Sequence, residues 1–162
     1  MLVSYDKSYL AKGFTTVCGI DEAGRGPLAG PVVVAGAIMP LDADSIIAGV
    51  NDSKKLSEKK REKLFDEIVQ KAIAYHVEII DAEVIDEINI LNATKLGMNN
   101  CIKALSMSDV VLIDAVKPSD DSRIVPIIKG DATSYNIAAA SIIAKVTRDK
   151  LMLQLADRKS VV

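Results

Sequence analysis

Two apolar runs, Thr16-Val17-Cys18-Gly19-Ile20 and Val32-Val33-Val34-Ala35-Gly36-Ala37-Ile38, flank the segment Asp21-Glu22-Ala23-Gly24-Arg25-Gly26-Pro27-Leu28-Ala29-Gly30-Pro31. The pattern reads as strand, acidic strand end, glycine-rich turn, strand. It constrains the fold because two carboxylates at the mouth of a buried strand are costly unless they are paired or hold a cation. Arg25 stands between two glycines, where backbone amides can approach a ligand closely. The competing reading is a solvated acidic turn.

The remaining composition narrows the chemistry. A chain of 162 residues, 49% of them apolar and 4% aromatic, is expected to form one domain with an aliphatic core, burying roughly 68–70% of its unfolded surface. No apolar run reaches the length of a membrane span and the N-terminus has no signal-peptide pattern, so a cytoplasmic protein is expected. Cys18 and Cys101 are far apart, sit in apolar patterns and form no CxxC motif, which predicts buried free thiols. His76 is the single histidine and lies in an alternating run, which predicts a strand side chain. Histidine-rich zinc sites and nucleophilic triads therefore have little support. A net charge of −2 argues against strong nonspecific attraction to nucleic acid but leaves room for a local basic face.

Along the chain, residues 1–14 read as a partly ordered lead-in. Strands are predicted at about 16–21, 31–39, 74–80, 110–113 and 124–128, the first two antiparallel. Ser57 is an N-cap candidate for a helix over 58–69, whose apolar positions are Leu64, Phe65, Ile68 and Val69. A short helix near 82–88 leads to a longer one around 91–106, with Leu91, Leu96, Ile102 and Leu105 expected in the core. Pro126 predicts an edge position for the fifth strand. Ser134 is expected to cap a long final helix, with Ser141 as a packed hydroxyl. The order implies an α/β layer structure with a mixed sheet. If the fourth strand lies parallel beside the first, Asp21 and Asp114 meet at the crevice outside the strands' carboxyl ends, with Asp131 at a similar level.

Several carboxylates converging within a few ångströms cannot all stay ionised without a cation. With neither histidine nor thiolate nearby, the ligands are hard oxygens suited to Mg²⁺ or Mn²⁺. Two such ions about 3.5–4 Å apart can clamp the attacking and leaving oxygens of a phosphodiester. Acid–base catalysis alone supplies only about 10²–10⁴-fold. Asp21 and Glu22 are neighbours in an extended segment, so their side chains point to opposite faces. Either the strand bends after Asp21, or Glu22 contributes through its backbone carbonyl or a metal-bound water.

The blocks 19–31, 52–57, 112–114, 129–131 and 137–149 together resemble bacterial ribonuclease HII, the type 2 ribonuclease H. The resemblance covers about 19–156 and is most specific in its first and last blocks. It implies an RNase H-like three-layer fold, a five-stranded mixed sheet flanked by helices, and a monomer. It also implies metal-dependent cleavage of the RNA strand of RNA–DNA hybrids and incision at single ribonucleotides in duplex DNA, leaving 3′-hydroxyl and 5′-phosphate ends. By position, the catalytic and metal-binding acids would be Asp21, Glu22, Asp114 and Asp131. Gly24, Arg25 and Gly26 match the turn that senses the ribose 2′-hydroxyl. Lys54, Lys55 and either Lys145 or Arg148 match phosphate contacts, set against readings as loop charges or, with Asp149, as local ion pairs on an exposed helix face.

Ala115 stands where the family usually has glycine and Asn136 where serine is common; neither departure is expected to matter much. The family also continues past the final helix into a segment with a tyrosine near the substrate ribose. The chain is accordingly expected to be a single catalytic domain lacking that segment. Its last residues, 157–162, are also what a common sequencing adapter encodes, and are expected to be a non-native tail. Two alternative readings are a catalytically impaired hybrid-binding module, and a nucleotide-binding switch or dehydrogenase. The last fails on spacing, because Gly24 and Gly26 are followed by Gly30 rather than a glycine at 29, and no GxxxxGK[ST] occurs.

Overall fold

A computed structural model describes residues 2–24, 30–51 and 53–160. In chain order the main elements are α1 (Leu2–Ala11), β1 (Val17–Ala23), β2 (Val32–Ile38), α2 (Glu58–Lys71), β3 (Ala74–Ile80), α3 (Ala82–Ala104), β4 (Val110–Asp114), β5 (Ile124–Ile127) and α4 (Tyr135–Ser160). The five strands form one mixed sheet in the order β3-β2-β1-β4-β5. The β1–β2 and β2–β3 pairs are antiparallel; β1–β4 and β4–β5 are parallel. Pro126 lies in β5, at the sheet edge, where a missing N–H costs no ladder bond.

The sheet is covered on both sides, which is why β2 is apolar along its whole length. Val33, Ala35 and Ala37 face the layer containing α1, α2 and α4. Val32, Val34 and Ile38 face α3. The long apolar run of α4 is likewise buried, with Ala138, Ala139, Ala140, Ile142, Ile143 and Ala144 fully covered. Gly19 makes its close approach possible: a Cβ there would overlap the backbone of Asn136 and Ile137. β1 therefore rests directly on the first turn of α4.

The expected caps form. Ser57 Oγ accepts from Lys60 N at 3.2 Å at the start of α2, and Ser134 Oγ accepts from Ile137 N at 3.2 Å at the start of α4. Helix α3 is kinked at Asn89, whose φ is 68°. Its carboxamide oxygen accepts from Asn92 N at 3.0 Å and so caps the second segment. This accounts for the two helices predicted there.

Two expectations are corrected. Residues 2–11 are a helix packed on α4, not a loose lead-in: Val3 and Tyr9 enter the core and Asp6 is fully buried. In α3 the core stripe is Ala93, Thr94, Gly97, Met98, Cys101 and Ile102, with Leu105 just beyond it, whereas Leu91 and Leu96 are each 40% exposed. Small residues at the contact let the helix sit close to β2, as the overlap of a Gly97 Cβ with Val34 shows. Cys18 and Cys101 are free and buried, as expected, and His76 is a β3 side chain whose Nε2 lies 2.6 Å from Glu78 Oε2. Among the described residues no helix is long and apolar enough to cross a membrane.

Candidate acidic active site

The parallel pairing of β1 and β4 sets Ile20 opposite Ile113. Asp21 and Asp114 are the next residues on the two strands and so stand side by side. Side chains alternate along a strand, so Asp21 shares its face with Gly19, and Asp114 with Leu112. Both are turned toward α4. Asp131 comes from the 3₁₀ turn Gly130–Ala132, entered through Lys129 in the left-handed conformation (φ 53°). The turn is wedged in place: a Cβ on Gly130 would lie 2.7 Å from Ile137 Cδ1 and 3.4 Å from Asp114 Cα.

Carboxylate oxygens of Asp21, Asp114 and Asp131 all lie within 4.8 Å of one another. Asp21 and Asp131 are buried, 6% and 4% exposed. Burial, then the charges of Glu22 and Asp114, push the Asp21 carboxyl well above the usual carboxylate range. Such a cluster fits a cation: it supplies oxygens alone, it is largely removed from water, and its charges repel one another unless something positive sits between them. The donor set suits Mg²⁺ or Mn²⁺ and gives no foothold for zinc or copper.

Glu22 is placed differently from the other three acids. β1 does not end at Asp21 but continues in its ladder with β2, pairing Glu22 with Val34 and Ala23 with Val33. Glu22 lies outside the group of three, although it lines the same cleft. Its backbone N–H donates to Asp21 Oδ1 at 2.8 Å and helps orient that carboxylate.

The cleft that holds the acids also has basic lining. The cleft, of roughly 520 Å³, is lined by Lys54, Arg61 and Lys145 as well as by the acids. Asp149 steadies two of them, with Lys145 Nζ 3.2 Å from Oδ1 and Arg61 Nη2 3.8 Å from Oδ2. Arg61 Nη1 also donates to the carbonyls of Ser53 and Leu56, at 3.2 and 2.6 Å. The turn Ser53–Lys55 is joined to α4 by the buried Ser53–Ser141 hydroxyl pair at 2.8 Å. Lys54 and Lys55 are both exposed on that turn, with Lys54 in the cleft wall.

Arg148 occupies a different setting from a surface phosphate contact. It is 6% exposed, and its Nε donates to the Pro31 carbonyl at 2.9 Å. Gly24 has φ 102°, and a Cβ there would overlap Arg148 Nε and stand 2.6 Å from Pro31 O. Arg148 thus braces both ends of the glycine-rich segment. Arg25 and Gly26 lie outside the described residues.

Sequence reasoning passed over Arg61 and Asp6. Arg61 looks like one more charge on the solvated face of α2, and nothing short of the α2–α4 contact brings it to the acids. Asp6 carries no motif; the one hint is an acid at helical spacing between Val3 and Tyr9.

Comparison with known proteins agrees with this geometry. The family model for ribonuclease HII matches residues 18–161. The ribonuclease HII of Ruminiclostridium cellulolyticum is 52% identical over 155 residues, covering 94% of this chain and 60% of that protein. That of Caldicellulosiruptor bescii is 50% identical over 167 residues, covering 98% and 80%. Among solved structures, the ribonuclease H2 of Pyrococcus horikoshii superposes with a TM-score of 0.73 at 32% identity, over 90% of this chain and 77% of that one. Bst-RNase HIII in complex with Mn²⁺ gives 0.73 at 24% identity over 88% and 55%, a likeness of fold. With the match running from β1 through α4 and identity near one half, the chain belongs to the ribonuclease HII family.

Proposed function

We propose that this chain is a single catalytic domain that hydrolyses the RNA strand of RNA–DNA hybrids and incises duplex DNA at single ribonucleotides, leaving 3′-hydroxyl and 5′-phosphate ends. The observation that carries this reading is the meeting of Asp21, Asp114 and Asp131 from three separate elements, their oxygens within 4.8 Å. Asp21, Asp114 and Asp131 would hold the cation directly, with Glu22 acting from the neighbouring wall. A pair of Mg²⁺ or Mn²⁺ ions held by these carboxylates would supply Lewis-acid activation of water and offset the negative charge that builds on the phosphate and the leaving oxygen.

The protein's own groups do the rest. Lys145, Lys54 and Arg61 line the same cleft as the acids and would hold the phosphates flanking the scissile bond, with Lys55 reaching the backbone further along. Gly24, Arg25 and Gly26 would present backbone amides to the ribose 2′-hydroxyl, and Arg148, braced on Pro31, would keep that segment in place. We assign the activity to a cytoplasmic monomer serving ribonucleotide removal from DNA and replication.

Incubation with a DNA duplex carrying one ribonucleotide, in Mg²⁺ or Mn²⁺, tests the reading. Incision at the ribonucleotide, leaving 3′-hydroxyl and 5′-phosphate ends, is expected, and Asp114→Asn should lower its rate by at least about 10²-fold, the cost of losing one charge-stabilising group. Near-native rate in that variant would defeat the assignment. Binding of the duplex without incision by the unaltered chain would make it a hybrid-binding module instead.

A further inference from the structure

Asp6 lies far from the acids in sequence and outside the cleft, yet it is fully buried and, among the described residues, its hydrogen bonds converge on one place. Its Oδ1 accepts from Tyr135 N at 3.0 Å. Its Oδ2 accepts from Ser134 Oγ at 3.0 Å, Asn136 N at 2.9 Å and Asn136 Nδ2 at 2.7 Å. One carboxylate from α1 therefore satisfies two of the orphan N–H groups that open α4, those of Tyr135 and Asn136, and complements the positive end of that helix.

That first turn of α4 is the junction between the Gly130–Ala132 turn and β1. Ser134 N donates to the carbonyl of Gly130 at 2.7 Å, closing the turn that carries Asp131. Ile137 packs against Gly130, and the Asn136–Ile137 backbone is the surface on which Gly19 of β1 rests, two residues before Asp21. Asn136 Oδ1 also accepts from Met39 N at 2.7 Å, tying the same turn to the end of β2. A shift of α4's first turn would move Asp131 relative to Asp21 and Asp114.

We infer that Asp6 is a positioning residue for the acidic site, acting through Ser134, Tyr135 and Asn136 to fix where the Gly130–Ala132 turn presents Asp131. It touches neither substrate nor cation. The inference rests on the proposed metal-dependent nuclease reading for its consequence, but not for its geometry. An asparagine at position 6 offers one acceptor oxygen and turns an NH₂ toward donors, so it cannot reproduce the four contacts.

The test compares Asp6→Asn with Val3→Ala, which removes core packing from the same helix but none of the four hydrogen bonds made by Asp6. Two readouts are taken on protein shown to be folded by circular dichroism: the Asp131 amide and carboxyl chemical shifts without metal, and Mn²⁺ affinity by electron paramagnetic resonance. Asp6→Asn is expected to move the Asp131 resonances and weaken Mn²⁺ binding about 10–100-fold, the scale seen when groups supporting metal ligands are lost. Val3→Ala should lower thermal stability while leaving both readouts unchanged. If Asp6→Asn does not fold, Ser134→Ala, which deletes one of the four contacts, takes its place with the same expected direction. Unmoved Asp131 resonances, or an equal effect from Val3→Ala, would overturn the inference. Failure of the unaltered protein to bind Mn²⁺, with Asp131 still displaced by Asp6→Asn, would refute the metal reading and leave the positioning role standing.

Discussion

Ala115 follows Asp114 directly and is held in the left-handed region with φ 61°, its N–H donating to the carbonyl of Ile127 at 2.9 Å. A side chain there costs about 1–2 kcal/mol, offset in part by the lower entropy of an unfolded alanine relative to glycine. Ala115→Gly is therefore expected to raise unfolding free energy by about 0.5–1 kcal/mol in urea titration; a loss of stability would contradict the backbone assignment. The position is strained, so this departure from the family pattern matters, contrary to the sequence-based expectation. So does Asn136, since a serine could not span both Asp6 and Met39. Asp21 shows the opposite trade. Its burial and its neighbours Glu22 and Asp114 disfavour its charge. Asp21→Asn should thus stabilise the metal-free chain by about 0.5–2 kcal/mol while abolishing any stabilisation by Mn²⁺. Thermal melts with and without Mn²⁺ would show this, and equal stabilisation of both forms by Mn²⁺ would count against it.

At the scale of elements, α4 does two different jobs with two cations three residues apart. Lys145 forms an i,i+4 pair with Asp149 on the cleft wall, an exposed pair worth only about 0.3–0.5 kcal/mol. Arg148 is buried and bonded to the Pro31 carbonyl. Lys145→Ala should weaken duplex binding with little change in melting temperature, whereas Arg148→Ala should cost about 1–3 kcal/mol of stability. Equal effects on stability would erase the distinction. β1 and β4 were legible because apolar runs ending in acids have few other readings, and the helical crossover between them allowed the parallel pairing that the sheet shows. Helix α1 was not, because the residue that fixes it, Asp6, is an acid whose partners lie near residue 135. The misplaced Leu91 and Leu96 have a local cause: the kink at Asn89 sets the stripe that follows, and it selects Ala93, Thr94 and Gly97 over the leucines.

For the whole molecule, the acids and their strand ends could be read from sequence and Lys54 and Lys145 came with the family resemblance, while Arg61, the third cation of the cleft, could not be read. Arg61 reaches the cleft only because α2 packs on α4, a tertiary contact that no local pattern encodes. The core that makes these contacts possible leaves the thiols inert: burial pushes Cys18 up to about 12 and raises Cys101 as well. Neither should react with an aromatic disulfide reagent at pH 8 until the chain unfolds, when both should titrate together; fast labelling of the native protein would contradict the packing. The central claim is that three carboxylates from separate elements form one cation site. Anomalous diffraction at the manganese edge from crystals soaked in Mn²⁺ tests it most directly. A peak within coordination distance of Asp21, Asp114 and Asp131, absent in Asp114→Asn, is predicted; no peak there, or an equally strong one in the variant, would contradict it.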